Sequence, residues 1–136
     1  MNRTSLPLRR PAIVLCETDR RRLERAALLA MLEAPRVAGA LLEEVDRAKV
    51  VPDSGLDPER VRLGSLVIYR DEISGEEVCA RLVEDTRADA PEEVSVLTAA
   101  GAALVGLGIG QSILWSDRRG EERLFTILKT SFGDEP

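Results

Sequence analysis

One stretch constrains this chain more than any other: "SVLTAAGAALVGLGIGQSILW", Ser95 to Trp115, which holds no charge, four glycines and the only tryptophan. Glycines at 106, 108 and 110 suggest a dinucleotide loop. Such a loop needs strand, then glycines, then helix, so that the helix N-terminus meets the pyrophosphate. Here "TAAGAALVG" has the helical composition and comes first, while "QSILW" after the glycines reads as a strand. Gln111 stands where the last glycine of GxGxxG belongs, and no GK[ST] follows. The stretch also falls short of a membrane span, because its glycines, Thr98, Gln111 and Ser112 interrupt the apolar run. It reads as a short helix ended by Gly106, with Gly108 and Gly110 turning the chain into a strand.

Composition narrows the chemistry. There is no histidine among the 136 residues, so the commonest general base and metal ligand is missing. Cys16 and Cys79 lie far apart and suit two buried thiols in a reducing cytoplasm better than a zinc site or a disulfide. No cofactor and no metal of its own is expected. "MNRTSLPLRRP" has arginines but no apolar run behind them, so no signal peptide is read and a cytoplasmic location is expected.

Charge divides the chain. Residues 1–49 carry ten basic and seven acidic side chains; residues 50–136 carry nine basic and seventeen acidic. An acidic main domain does not suit DNA recognition, which needs phosphate neutralisation; it suits a protein partner with a basic surface. The run "TDRRRLER" has no interleaved aromatics and reads as a solvated helix face.

An extended segment at Ile13–Leu15 runs into a helix from Asp19 to about Glu33, with Thr18 or Asp19 capping its first turn. Leu23, Ala27 and Ala30/Met31 form its apolar stripe. Pro35 breaks the helix and starts a second, Arg36 to about Lys49, striped by Val37/Ala38, Leu41, Val45 and Ala48. Glu43 and Arg47 are spaced for an exposed pair. Together the two make a short antiparallel coiled-coil hairpin. "VVPDSGLDPER" reads as a linker over 50–60. Residues 61–136 then read as a β domain: strands near 65–70 and 77–84 joined by a turn at 73–76, a loop "TRADAPEE", a strand "VSVL", then "SILWS" and "ERLFTILKT" joined by "DRRG". The acids of "DEISGEE" read as solvated surface. Tyr69, Trp115, Phe125 and Phe132 look scattered.

This order of elements resembles the Gre-factor superfamily of bacterial RNA polymerase ligands, and within it the Rnk branch. The match runs over about residues 11–130 and is sharpest at Ser95, Val96, Gly101, Ala103, Leu104, Gly106, Gly110, Ile113 and Trp115. "PAIVLCETDRRRLE", "LLEEVDRAKVV" and "SLVIYRDEISGEE" resemble the branch's entry strand and first helix, its second helix and its first β-hairpin. Two positions depart from the pattern: Ala99 or Ala100 stands where the family usually has Pro, and Gln111 replaces the usual Asp.

The resemblance implies an α+β chain: a helical hairpin followed by an FKBP-like antiparallel sheet domain with one short helix. It implies no enzyme but a cytoplasmic regulator of transcription and elongation. Its partner would be core RNA polymerase, docked at the rim of the secondary channel through Thr98, Ala99, Ala100, Gly101, Leu104 and Leu107, with no DNA sequence recognition and no membrane. Gre proteins carry paired acidic residues at the hairpin tip and stimulate transcript cleavage. This tip offers Glu33 alone, with Pro35 and Arg36 beside it, a poor magnesium ligand set. The expected function is therefore occupancy of the channel entrance in competition with Gre factors, without cleavage. The other readings are a true cleavage factor, an adaptor for another protein, and a prolyl isomerase on the strength of the fold.

Overall fold

The apolar stripes lay two helices side by side. In the computed structural model, which describes residues 11–84, 92–117 and 119–132, α1 spans Glu17–Ala30 and α2 spans Pro35–Arg47. Leu23, Ala27 and Ala30 of α1 are buried, as are Ala38, Leu41 and Val45 of α2. The alanines let the two backbones approach closely. The first helix is shorter than its composition suggests: Glu33 N–H and Ala34 N–H both return to Ala30 C=O, which closes the helix before Pro35 opens the next.

The start of α1 is not capped from within. Cys16 occupies the N-cap position and makes no side-chain cap bond. Asp53, 35 residues on, accepts the Thr18 N–H at 3.0 Å and the Thr18 hydroxyl. Asp19, expected as a cap, is 1% exposed and accepts the Leu63 N–H at 2.9 Å. Both carboxylates therefore tie the helix to the chain that follows the hairpin. That chain is no free linker. Lys49–Val51 forms β2, parallel to β1 (Val14–Cys16), and Asp53–Gly55 is a single 3-10 turn. Arg47 pairs with Glu44 at 2.7 Å rather than with Glu43, and also donates to Pro11 C=O at 2.7 Å.

Beyond it lies a five-stranded sheet: β3 (Leu66–Asp71), β4 (Glu77–Val83), β5 (Glu93–Ser95), β6 (Ser112–Ser116) and β7 (Glu122–Ser131), in the order β5-β4-β3-β7-β6. The sheet is mixed rather than wholly antiparallel, because β5 runs parallel to β4. The expected loop "TRADAPEE" falls mostly on residues outside those described. α3 (Ala99–Leu104) packs against β5 and β6, and also against α2. Alternation does the rest. Val67, Tyr69, Leu82, Phe125 and Ile127 point inward and join the hairpin's stripes in one hydrophobic core.

Three sequence expectations are corrected here. The aromatics are not scattered: Tyr69 lies 4.5 Å from Phe125, and Trp115 packs edge-on against Phe125 at 4.9 Å. Neighbouring strands bring them together. Cys16 is buried, and burial raises its thiol pKa, but Cys79 is exposed; both thiols are free. Asp71 of the "DEISGEE" turn is buried, not solvated. It accepts Ile73 N–H at 2.9 Å, Ser74 N–H at 3.2 Å and Arg123 Nη2 at 2.6 Å.

The anchoring carboxylates set an acid limit. Hydrogen bonds from Thr18 hold the Asp53 carboxyl below the ordinary range. Burial pushes Asp71 up, but the N–H groups of Ser74 and Ile73, together with Arg123, outweigh it and leave the pKa lowered. A carboxyl depressed in the folded chain stabilises the fold above its unfolded value of about 3.9 and loses that contribution as pH falls through the folded value. Thermal scans from about pH 7 to about pH 3 should therefore show the melting temperature dropping on the acid side. Asp53→Asn/Asp71→Asn should melt lower near neutrality and show a flatter acid limb. An acid limb identical to that of the unaltered chain would remove these two groups from the account.

Candidate functional site

The short helix α3 is set by a tight turn. Thr98 caps it: the Thr98 hydroxyl donates to Ser95 C=O at 2.7 Å, and the same oxygen accepts Gly101 N–H at 3.1 Å. Ser95 Oγ accepts Leu97 N–H at 3.0 Å. Gly101 is required by space. A Cβ there would sit 1.8 Å from Ser95 O. The turn consequently presents Thr98 to solvent and leaves Ala99 and Ala100 half-buried. Gly101, Leu104 and Leu107 are buried. Of the six residues the sequence singles out, three can meet a partner directly. The other three are buried and offer a partner no surface.

Beside that turn runs a groove of about 330 Å³. Its walls are Ala40 and Glu44 of α2, Ala99, Ala102 and Ala103 of α3, and Ile113–Ser116 of β6. Small side chains make it a groove rather than a filled seam. Glu44 is 6% exposed, and its carboxylate is held by Arg47 Nη2 at 2.7 Å and Nε at 3.2 Å. Trp115 lines one wall, braced by Phe125. Sequence reading placed Ala99 and Ala100 on the docking face but did not find the groove that Ala102 and Ala103 line beside them. Their spacing was the available signal, since a helix faced with alanine leaves room above it.

The hairpin tip is the second expected region. Glu33, Pro35 and Arg36 are all exposed, and Pro35 sits in the first turn of α2. No group of three or more Cys, Asp or Glu side chains able to hold a metal occurs among the described residues. The structure links the two regions. A cleft of about 470 Å³ is lined by Arg22, Arg25, Leu29 and Glu33 of the hairpin, by Glu84 at the end of β4, and by Leu97, one residue before Thr98. Arg22 bridges to Glu84 at 2.6 Å across it. Tip and turn are thus the two ends of one surface. The arginine run beside them is partly neutralised, because Arg20 pairs with Glu17 and Glu24, each at 3.3 Å.

The glycines after α3 serve packing. Gly106 has a φ of +80°, and a Cβ there would lie 2.8 Å from the Ile13 Cβ. Gly106 C=O accepts Val14 N–H, so the glycine lets the N-terminal strand lie flat against this segment. Gln111 secures it. Its Oε1 accepts Gly108 N–H at 2.8 Å, and its Nε2 donates to Ala12 C=O at 3.2 Å. Arg60 Nη1 reaches Ala12 C=O, Gly106 C=O and Gln111 Oε1 at 3.1–3.3 Å. An aspartate at position 111 could not donate to Ala12, so the departure from the resembled pattern has a local use. Among the described residues no helix is long and apolar enough to cross a membrane.

A family model described as the Rnk N-terminus matches residues 11–51. The chain is 30% identical over 132 residues to the regulator of nucleoside diphosphate kinase of Escherichia coli strain K12, covering 93% of each. The same values hold for the protein of that name from Shigella flexneri. Among solved structures it is similar to a prokaryotic transcription elongation factor GreA/GreB from Nitrosomonas europaea, with 34% identity and a TM-score of 0.68 over 90% of this chain and 99% of that one.

Proposed function

The chain belongs to the family of regulators of nucleoside diphosphate kinase, with the fold of a Gre-type transcription factor, and on that footing we propose that it binds core RNA polymerase and regulates transcription from the rim of the secondary channel. The observation that carries this reading is the Ser95–Gly101 turn. It presents Thr98, Ala99 and Ala100 beside an alanine-lined groove, on a chain similar over 90% of its length to a transcription elongation factor. The sheet domain docks, and the hairpin faces the channel entrance. Such a partner places the protein in the cytoplasm.

The hairpin blocks rather than catalyses. α1 has 14 residues, hence about 21 Å at 1.5 Å per residue. The tip carries Glu33 with Arg36 nearby and no second carboxylate. Metal ligands act at about 2.0–2.6 Å, so one carboxylate held short of a reacting centre contributes nothing there. The isomerase reading loses its support for a related reason. Tyr69 and Phe125 are 7% and 5% exposed, so of the clustered aromatics Trp115 alone lines the groove, and a single aromatic wall among alanines is no aromatic-walled peptide pocket.

The test is a backtracked elongation complex. The full chain alone should release no cleaved transcript, and at saturation it should suppress cleavage driven by a Gre factor. Ala99→Arg, which places a long cation on the docking turn, should weaken that suppression about tenfold. Cleavage by this chain alone, lost on Glu33→Ala, would make it a cleavage factor. Undiminished Gre-driven cleavage at saturation would remove the shared site.

A further inference from the structure

Large apolar side chains are rarely left bare in groups. Among the described residues, five of the six exposed ones fall in two patches. The first is the outer face of the hairpin. Leu28 and Leu29 are exposed on α1, and Leu32 in the turn after it is 95% exposed. Arg21 and Arg25 continue the same stripe at helical spacing, and neither has an ion pair among the described residues. The second is a groove of about 620 Å³ lined by Leu56, Asp57, Pro58 and Glu59 and by Lys129 and Phe132 at the end of β7. Ile109 and Phe132 are its bare apolar residues, at 41% and 54% exposure. Arg62 also lines it, but that guanidinium is engaged: it stacks 4.0 Å from the Phe132 ring and lies 3.9 Å from Asp19.

We propose that these two patches are the halves of a self-association contact: the Arg21–Leu32 stripe of one copy seats in the Leu56–Glu59/Phe132 groove of a second copy. The occupant is argued from complementarity. The stripe offers leucines flanked by two free arginines, and the groove offers an aromatic and an isoleucine beside two exposed carboxylates. Glu33, past the leucines, finds a cation of opposite charge in Lys129, which also lines the groove. Over the whole chain the hairpin half is net positive and the sheet half strongly negative, which orients two copies the same way before contact. The contact does not rest on polymerase binding, but it uses Arg25, Leu29 and Glu33, which also line the cleft between tip and turn. Where both occur, self-association covers the hairpin and withdraws it from any other partner.

The experiment is sedimentation equilibrium of the full chain from about 10 μM to about 1 mM, a range that resolves weak association. The mass should rise above that of the monomer with concentration. Arg25→Glu and Leu29→Asp, both at exposed positions, should each weaken association at least tenfold while circular dichroism and melting stay unchanged. Arg25→Glu combined with Glu59→Arg should restore it, which a general loss of folding could not do. A monomer throughout, association indifferent to Leu29→Asp, or a charge swap that fails to restore it would each overturn the contact.

Discussion

Gly101→Ala is expected to destabilise the protein by about 3 kcal/mol or more. The added methyl would meet Ser95 O at 1.8 Å, Ser95 C at 2.5 Å and Val96 N at 2.9 Å. All three are backbone atoms, so no rotamer change makes room. α3 would have to lift off β5. That would break the Thr98 cap and open Ala102, Ala103 and Leu104, all now buried, to water. Gly39→Ala is the control. Gly39 sits inside α2 with nothing within 4 Å of a new Cβ, and there the same change should stabilise by up to about 1 kcal/mol. Urea unfolding of both variants measures the contrast. Equal midpoints for Gly101→Ala and the unaltered chain would mean that α3 is not seated against Ser95.

Leu41→Asp should cost more, on the order of 5 kcal/mol, comparable with the whole stability of a small domain. Leu41 is 0% exposed and packs in the core that the two helices share with the sheet. The change removes a large apolar side chain and leaves a carboxylate without water. Leu32→Asp makes the same chemical change at the exposed tip and should shift stability by no more than about 0.5 kcal/mol. Soluble, cooperatively melting Leu41→Asp protein would show that the stripe does not face the core.

The helical hairpin was legible because Leu23, Ala27, Leu41 and Val45 repeat at helical spacing and Pro35 divides them. The sheet strands were legible from alternation in "LVIYRD" and "ERLFTILKT". What stayed hidden depends on residues far apart in the chain. Lys49–Val51 is a strand only because Val14–Cys16 lies beside it, and three residues carry no period of their own. Asp53 looks like a linker acid until α1 turns its unbonded amides toward it. Asp19 looks like a cap until Leu63 passes overhead. The aromatic cluster was within reach: Trp115 and Phe125 lie on paired strands, and alternation puts them on one face. For the site, the turn at Thr98–Gly101 was found from its glycine and its resemblance. The groove beside it was not, because alanines report absent volume and composition counts them as core.

The route of the first strand bears on how the chain is made. Val14 is bonded to Gly106, and Ala12 is held by Arg60 and Gln111. The ribosome therefore releases this strand about a hundred residues before the segment that locks it. The hairpin, built from local contacts, can form at once, while its base waits for the last fifth of the chain. Until then the buried face of α2 has neither sheet nor α3 beneath it. β1 can pair with β2 early, but its bonds to the Gly106–Gln111 segment are consequently among the last to form, and synthesis rather than stability sets the interval in which this chain is most open to being captured.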